Sequence, residues 1–328
     1  MLCPAVALCE GGMRDPVQYK YYRSNSSVIA RSEATWQSIL MKPYLGAHLS
    51  TAGGLHKALE KLEEIGGNAL QIFGASPRTW QASLPKEEDI ILFKELAKRL
   101  NIDQVFLHAA YLPNLASPDK LIRDKSIKNL STHLEIANLI GAKGLIFHIG
   151  SGKDSDPGIA KKHVVEGCLK ILNHVIPERS DGISSPWLIM ENSAGGGAKL
   201  GVTIEEIGEM VSAINHPQLK VCLDTAHSFE SGLIEKYSKE ELAALEKKII
   251  KILGKDKLVS LHVNDSKTIF NSHHDKHENI GDGFLPKGAF QNLANNKLFA
   301  SIPWLLETPG LDGMGPDKIN IDRLKALY

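Results

Sequence analysis

Between Leu258 and Gly283 the chain reads LVSLHVNDSKTIFNSHHDKHENIGDG, which holds four of its 13 histidines: His262, His273, His274 and His277. Asn264, Asp265, Asp275 and Asp282 stand among them. Imidazole nitrogens and carboxylate oxygens bind zinc and manganese, so a polar loop this rich in them, entered from an apolar run, points to metal. The same residue types recur at the ends of other apolar runs. His48, His108, His148, Glu191, Asp224 with His227, and Glu307 all stand in such places. One histidine at a strand end is more often a hydrogen-bonded rim residue than a ligand. One aspartate there is commonly a helix N-cap, and Asp224 ahead of Thr225 fits that role. So many ionisable groups at one rim would repel and destabilise unless cations held them. They exceed the three or four ligands of a tetrahedral zinc, so two or three ions are expected. Two ions about 3.5–4 Å apart, joined by a carboxylate, can generate a hydroxide and clamp the oxygens of a phosphate. Glu191, on a central strand, is the candidate bridge. Phosphodiester hydrolysis is the expected chemistry, with a third ion at the leaving oxygen.

These side chains need a scaffold that delivers strand ends to a single rim. From Met41 onward, apolar runs alternate with amphipathic stretches in the rhythm of a parallel sheet. Strands are expected over 44–49, 69–73, 105–108, 145–149, 187–190, 220–223, 258–263 and 304–306. Helices are expected over 54–65, 86–100, 120–140, 158–176, 204–214, 239–253, 287–293 and 317–327. The strand runs are continuously apolar, as when both faces are buried. Eight strand–helix pairs predict a (β/α)8 TIM barrel over residues 41–328, with its active site at the C-terminal ends of the strands. No GxGxxG follows the first strand, which disfavours a dinucleotide-binding sheet.

Composition sets the class. The chain has 43% hydrophobic and 23% charged residues, the balance of a globular protein with a full core. Lys+Arg and Asp+Glu are both 38, so a nucleic-acid partner would have to be held by local cations. No apolar run is long enough to span a membrane. Cys3, Cys9, Cys168 and Cys222 show no metal or redox spacing; reduced thiols in a cytoplasmic protein are expected, with Cys168 and Cys222 in the core. Residues 1–40 show neither helical nor strand periodicity, and they form a poor secretion signal. They are expected to be a disordered or non-native extension ahead of a protein start at Met41.

The motifs together resemble the endonuclease IV-type apurinic/apyrimidinic endonucleases, on a xylose-isomerase-like barrel. They are GAHLSTAGGL (46–55), LQIF (70–73), LHAAYLPNLASP (107–118), FHIGS (147–151), ENSAGGGAKLG (191–201), CLDTAHSFESG (222–232), LHVNDSK (261–267), DKHENIGDG (275–283) and LETPG (306–310). The resemblance implies nine zinc ligands: His108, His148, Glu191, Asp224, His227, His262, Asp275, His277 and Glu307. It implies three Zn2+ per chain, with Mn2+ as an alternative occupant. His227, Asp275 and His277 would share one ion, and Glu191 would bridge the other two. His108 and His148 would complete one of that pair; Asp224, His262 and Glu307 the other. Glu191 and Glu307 would act in catalysis, and Arg78, Tyr111 and Leu112 would insert into DNA as the abasic sugar is flipped out. His273 and His274 are not family ligands and read as loop surface, while His48 would support the ligands from behind. The chain departs from the family pattern at Ala109, Ala110 and Ile149.

The implied activity is cleavage 5′ to abasic sites in double-stranded DNA, leaving a 3′-hydroxyl and a 5′-deoxyribose phosphate, together with trimming of blocked 3′ ends. A monomer is expected. The alternatives are a metal-dependent sugar isomerase or epimerase on the same barrel, against which Asp275 and His277 speak, and a non-catalytic DNA-end binding protein.

Overall fold

In a computed structural model, residues 43–76, 79–173 and 185–328 are described, and one compact unit runs from Pro43 to Tyr328. The expectations for residues 1–40, Cys3 and Cys9 included, lie outside the described residues.

In chain order the unit comprises β1 (Leu45–Leu49), α1 (Leu55–Ile65), β2 (Ala69–Phe73), α2 (Glu87–Leu100), β3 (Gln104–His108), α3 (Lys120–Ile140) and β4 (Gly144–His148). There follow α4 (Pro157–Asn173), β5 (Trp187–Glu191), α5 (Ile204–Ile214), β6 (Leu219–Asp224), α6 (Thr225–Glu230), α7 (Lys239–Ile252) and β7 (Leu258–His262). The last part holds β8 (Asp265–Ser266), β9 (His277–Glu278), α8 (Ala289–Asn295), α9 (Lys297–Ala300), β10 (Trp304–Leu306) and α10 (Lys318–Lys325). All strands except β8 and β9 close into a parallel barrel in the order β1-β10-β7-β6-β5-β4-β3-β2. The eight expected strands are all present, and the chain is the TIM barrel that its rhythm predicts.

The helices form for ordinary reasons. In α1, Leu55, Ala58, Leu59, Leu62 and Ile65 recur at helical spacing and are all buried, so one stripe packs on the sheet. Gly66 and Gly141 end α1 and α3 in the left-handed conformation, which lacks a steric penalty at glycine. Asp119, Thr203 and Ser238 cap α3, α5 and α7 with side-chain oxygens that accept backbone N–H bonds. Helix α6, helix α9 (Lys297–Ala300) and the β8–β9 hairpin go beyond the sequence expectations. Short α6 has no exposed face, since all six of its residues are buried. The β8–β9 hairpin is antiparallel, pairing Asp265 with Glu278 and Ser266 with His277. No helix among the described residues is long and apolar enough to cross a membrane.

The packing inside the barrel places the site. Its interior is filled by Ala69, Phe106, Ile146, Ile189, Cys222 and Leu305. Side chains two residues apart on a strand share a face. The next inward positions are therefore Gln71, His108, His148, Glu191, Asp224 and Glu307. The same step leads from Gly46 to His48 on β1 and from Ser260 to His262 on β7. Each strand thus gives an apolar or small residue to the barrel floor and a polar one to its mouth. At Gly46 a Cβ would collide with the Ala69 carbonyl oxygen, so β1 passes β2 there only because the residue is glycine. Cys168 and Cys222 are buried free thiols.

Candidate metal centre

Glu191, at the end of β5, is fully buried (0% exposed) and is the hub of the mouth. Its Oε2 lies 3.1 Å from His108 Nε2 and 3.4 Å from His148 Nδ1. Its Oε1 lies 2.8 Å from His262 Nδ1 and 3.4 Å from His227 Nδ1. The two oxygens of one carboxylate therefore face different imidazoles. Three sets follow in which ligand-capable atoms lie within 4.8 Å of one another: His108, His148 and Glu191; Glu191, Asp224, His262 and Glu307; and Asp224, His227 and His277. A fourth set, His108, His262 and Glu307, overlaps the first two. Asp275 joins from the loop, its Oδ1 3.2 Å from His227 Nε2 and 3.8 Å from His277 Nε2. Asp224 stands between sets, with Oδ2 3.5 Å from His277 Nε2 and 3.9 Å from His262 Nδ1.

The hydrogen bonds behind these rings fix which nitrogen faces the cluster. His108 Nδ1 donates to the Ala109 carbonyl at 2.7 Å, and His227 Nδ1 donates to the Asn192 carbonyl at 2.9 Å. His262 Nε2 donates to Gln71 Oε1 at 2.8 Å, and His277 Nδ1 points at the Glu307 carbonyl at 3.3 Å. Carbonyl oxygens only accept, so in the neutral rings the remaining nitrogens present lone pairs to the carboxylates. Lone pair facing lone pair at these distances calls for a proton or a metal ion between them. The Nε2 atoms of His227 and His277 are buried and have no hydrogen-bond partner among the described residues. Nitrogen and oxygen donors without thiolate suit zinc or manganese, and this donor set fits them.

The electrostatics run the same way. Burial by itself lowers the His227 pKa, but Asp224, Asp275 and Glu191 raise it well above the ordinary histidine value. Burial likewise works against a charged His262, and Cys222, Glu307 and Glu191 overcome it. Burial raises the Glu191 carboxyl, yet His262, His148 and His108 hold it well below the usual range. Glu307 behaves alike, with His262, His48 and His108 opposing its burial. The carboxylates of the mouth thus draw positive charge onto His227 and His262, whereas at His148 burial prevails and lowers the pKa.

Several supporting residues carry no signal of their own in the sequence. Gln71 donates from Nε2 to Glu307 Oε1 at 2.5 Å while accepting from His262, so β2 ties β7 to β10. Asn264 donates to Asp224 Oδ2 at 2.7 Å and accepts the Glu307 N–H at 2.7 Å. Asn192 accepts the Asp224 N–H at 2.6 Å. Asp224 itself does both jobs open to it, since its Oδ1 caps α6 by accepting the His227 N–H at 2.8 Å. His48 Nδ1 lies 3.2 Å from Glu307 Oε1 and 2.9 Å from Gln71 Nε2, behind the cluster. His273 and His274 are exposed and belong to no ligand set among the described residues.

Around the mouth, Tyr111 is 79% exposed and stacks on His148, with ring centroids 5.9 Å apart and planes 18° apart. Leu112 beside it is half-buried. Arg78 lies outside the described residues. Ala109, Ala110 and Ile149 are buried, so the departures from the family pattern fall beneath the surface. A cleft of about 220 Å³ opens beside the cluster, lined by Tyr111, His148, Ser193, Lys199, His227 and Asp275 among others.

Barrel and mouth together define a class, the xylose isomerase-like TIM barrels, and residues 59–327 match that family. A Thermosipho melanesiensis protein named "Probable endonuclease 4" is 35% identical over 269 residues, 81% of this chain and 92% of the relative. An Aquifex aeolicus protein of the same name is 32% identical over 283 residues, 86% of this chain and 97% of the relative. The crystal structure of endonuclease IV from Thermus thermophilus matches with a TM-score of 0.74 at 30% identity, covering 87% of this chain and 98% of that one. The chain belongs to the endonuclease IV family. A D-tagatose 3-epimerase-like protein also matches, with a TM-score of 0.62 at 17% identity over 86% of this chain and 96% of that one, which shows the shared fold alone.

Proposed function

We propose that this chain is a zinc-dependent repair endonuclease that acts in the cytoplasm as a monomer. It hydrolyses the phosphodiester bond 5′ to an abasic site in duplex DNA, leaving a 3′-hydroxyl and a 5′-deoxyribose phosphate, and trims blocked 3′ ends. The observation that carries this reading is the buried Glu191 carboxylate, which turns Oε2 to His108 and His148 and Oε1 to His262. That division suits a bridge between two ions, while His227, Asp275 and His277 are left to hold a third. Three Zn2+ are the expected complement, with Mn2+ able to replace zinc at one or more sites. When bound, such ions supply the positive charge and Lewis acidity that phosphodiester hydrolysis requires.

The chain's own residues do the rest. Glu191 and Glu307 are held anionic and fixed by Gln71 and the surrounding imidazoles, so the ligand geometry is set before substrate arrives. The exposed Tyr111 ring and Leu112 stand at the rim, where they and Arg78 would fill the gap left by an extruded abasic sugar. The sugar isomerase or epimerase reading needs only one or two ions and leaves Asp275 and His277 without a task.

The direct test is incubation of a duplex oligonucleotide bearing one abasic analogue, with and without a strong chelator, beside a turnover assay on free sugars. Cleavage 5′ to the lesion that chelation abolishes is expected, with no sugar turnover. Sugar isomerisation without DNA cleavage would reverse the assignment, and tight binding without cleavage would favour a non-catalytic DNA-end binder. At the rim, Tyr111→Ala and Arg78→Ala are each expected to weaken abasic-duplex binding about 10-fold or more while zinc content is unchanged, because wedge residues offset an unstacking cost of a few kcal/mol. Unaltered affinity in both single variants and the double would remove these residues from the DNA interface.

A further inference from the structure

Glu230 is the last residue of α6, one helical turn beyond His227, and is fully buried (0% exposed). Its Oε1 accepts from Ser266 Oγ at 2.6 Å, Thr268 Oγ1 at 3.2 Å and the Lys276 N–H at 3.2 Å. Its main-chain carbonyl accepts the His273 N–H at 2.9 Å. Oε2 is buried and has no hydrogen-bond partner among the described residues. One carboxylate oxygen therefore latches both ends of the 267–276 excursion to the helix that carries His227. Lys276 is the residue between Asp275 and His277, so the latch falls on the peptide joining those two side chains.

The placement matters because the contacts across this gap come from different segments. His227 is fixed on α6, whereas Asp275 sits on the loop with a 36% exposed side chain. Apart from the Lys267 N–H bond to the Lys276 carbonyl at 2.8 Å, the hairpin is only two residues deep on each side. A pairing that short is marginal without an outside anchor. The Asn271 N–H bond to the Phe229 carbonyl at 3.1 Å and the Phe229–Phe270 ring contact hold the middle of the loop, and the anchor at its two ends is a buried carboxylate, a group costly to bury unless its donors are fixed.

We propose that Glu230 is a positioning residue that sets the separation between His227 and the Asp275–His277 segment, and with it the affinity of the ion site those three form. The proposal rests on the three-ion reading above. Glu230 hydrogen-bonds to none of the three ligand side chains and acts through the Lys276 peptide, so it is expected to contribute about 10-fold in metal affinity, the low end of what outer partners of metal ligands supply. Glu230→Ala is therefore expected to lose one of three zinc equivalents in equilibrium dialysis against a graded chelator, at a chelator level where the parent chain keeps all three. The two equivalents shared through Glu191 should remain. Glu230→Gln, which keeps the Oε1 acceptor, should restore the third equivalent to within a few-fold of the parent.

A purely structural anchor would lower the melting temperature of Glu230→Ala and leave zinc affinity per folded molecule unchanged, and that result overturns the proposal. Where Glu230→Ala fails to fold, the double variant Ser266→Ala with Thr268→Ala removes two of the three donors and leaves the carboxylate in place. Selective weakening of one zinc equivalent in that variant supports the proposal, and three equivalents held as tightly as in the parent overturn it. A parent chain that never binds a third equivalent overturns the three-ion reading itself, and this is seen before any variant is compared.

Discussion

Glu191→Ala is expected to strip the barrel mouth of two metal ions and to abolish cleavage. Four imidazoles, those of His108, His148, His227 and His262, have a nitrogen within 3.4 Å of this one buried carboxylate. Without it, the His108–His148 set keeps no carboxylate, and the set of Asp224, His262 and Glu307 loses the group that joins it to its neighbour. Loss of a single charge-stabilising group in an active site commonly costs about 10²–10³-fold in rate, and a shared ligand should cost more. Stability should fall as well. Removing one partner from a buried ionic network costs about 3–5 kcal/mol. Glu191→Gln keeps the volume and removes the charge, so it should melt closer to the parent yet bind metal as poorly as Glu191→Ala. Metal analysis, thermal melts and cleavage of an abasic duplex check these outcomes together. A Glu191→Ala protein that retains three zinc equivalents would show that Glu191 is not the bridge.

The loop should fail differently. Asp275→Ala combined with His277→Ala leaves every contact of Glu191 in place and removes two of the three groups facing the His227 side of the mouth. About one zinc equivalent should be lost and two retained. Cleavage should still drop by about 10²-fold or more, since charge developing on the phosphate is stabilised by all the positive charge around it. Folding should weaken by about 1–2 kcal/mol, less than for Glu191→Ala, because the excursion lies outside the barrel core while the His277 side chain is only 16% exposed. Asp224 sharpens the test, since its Oδ2 lies 3.5 Å from His277 Nε2 and offers the third set a carboxylate of its own. If the double variant keeps three equivalents and full cleavage, Asp275 and His277 are surface polar residues and the third site is wrongly drawn.

The barrel strands are legible in the sequence because burial on both faces leaves continuous apolar runs, and the polar residue closing each run marks the mouth. Less visible is the period-2 step, from Ile189 to Glu191 or from Ala69 to Gln71, that makes the mouth a continuation of the barrel floor. That step is the signal that exposes Gln71, because a glutamine in LQIF carries no metal signal by itself. Helix α6 is hidden for another reason: all six residues are buried although four of them are polar, so TAHSFE has no exposed face and no amphipathic period. The β8–β9 hairpin escapes because two residues a side are too few to alternate. The grouping of His227 with Asp275 and His277 comes from family resemblance alone. The structure brings them together across α6 and the hairpin, a path that spacing along the chain does not reveal. Glu230 is unmarked for a like reason, since its partners lie about 40 residues further on and only the folded chain brings them to it.

The most direct test of a three-ion endonuclease is stepwise return of zinc to metal-free protein, with bound zinc and cleavage of an abasic duplex followed together. Three equivalents are expected at saturation, with cleavage 5′ to the abasic site reaching its full rate only as the third is bound. Full cleavage with one equivalent, or undiminished cleavage in excess chelator, would contradict it.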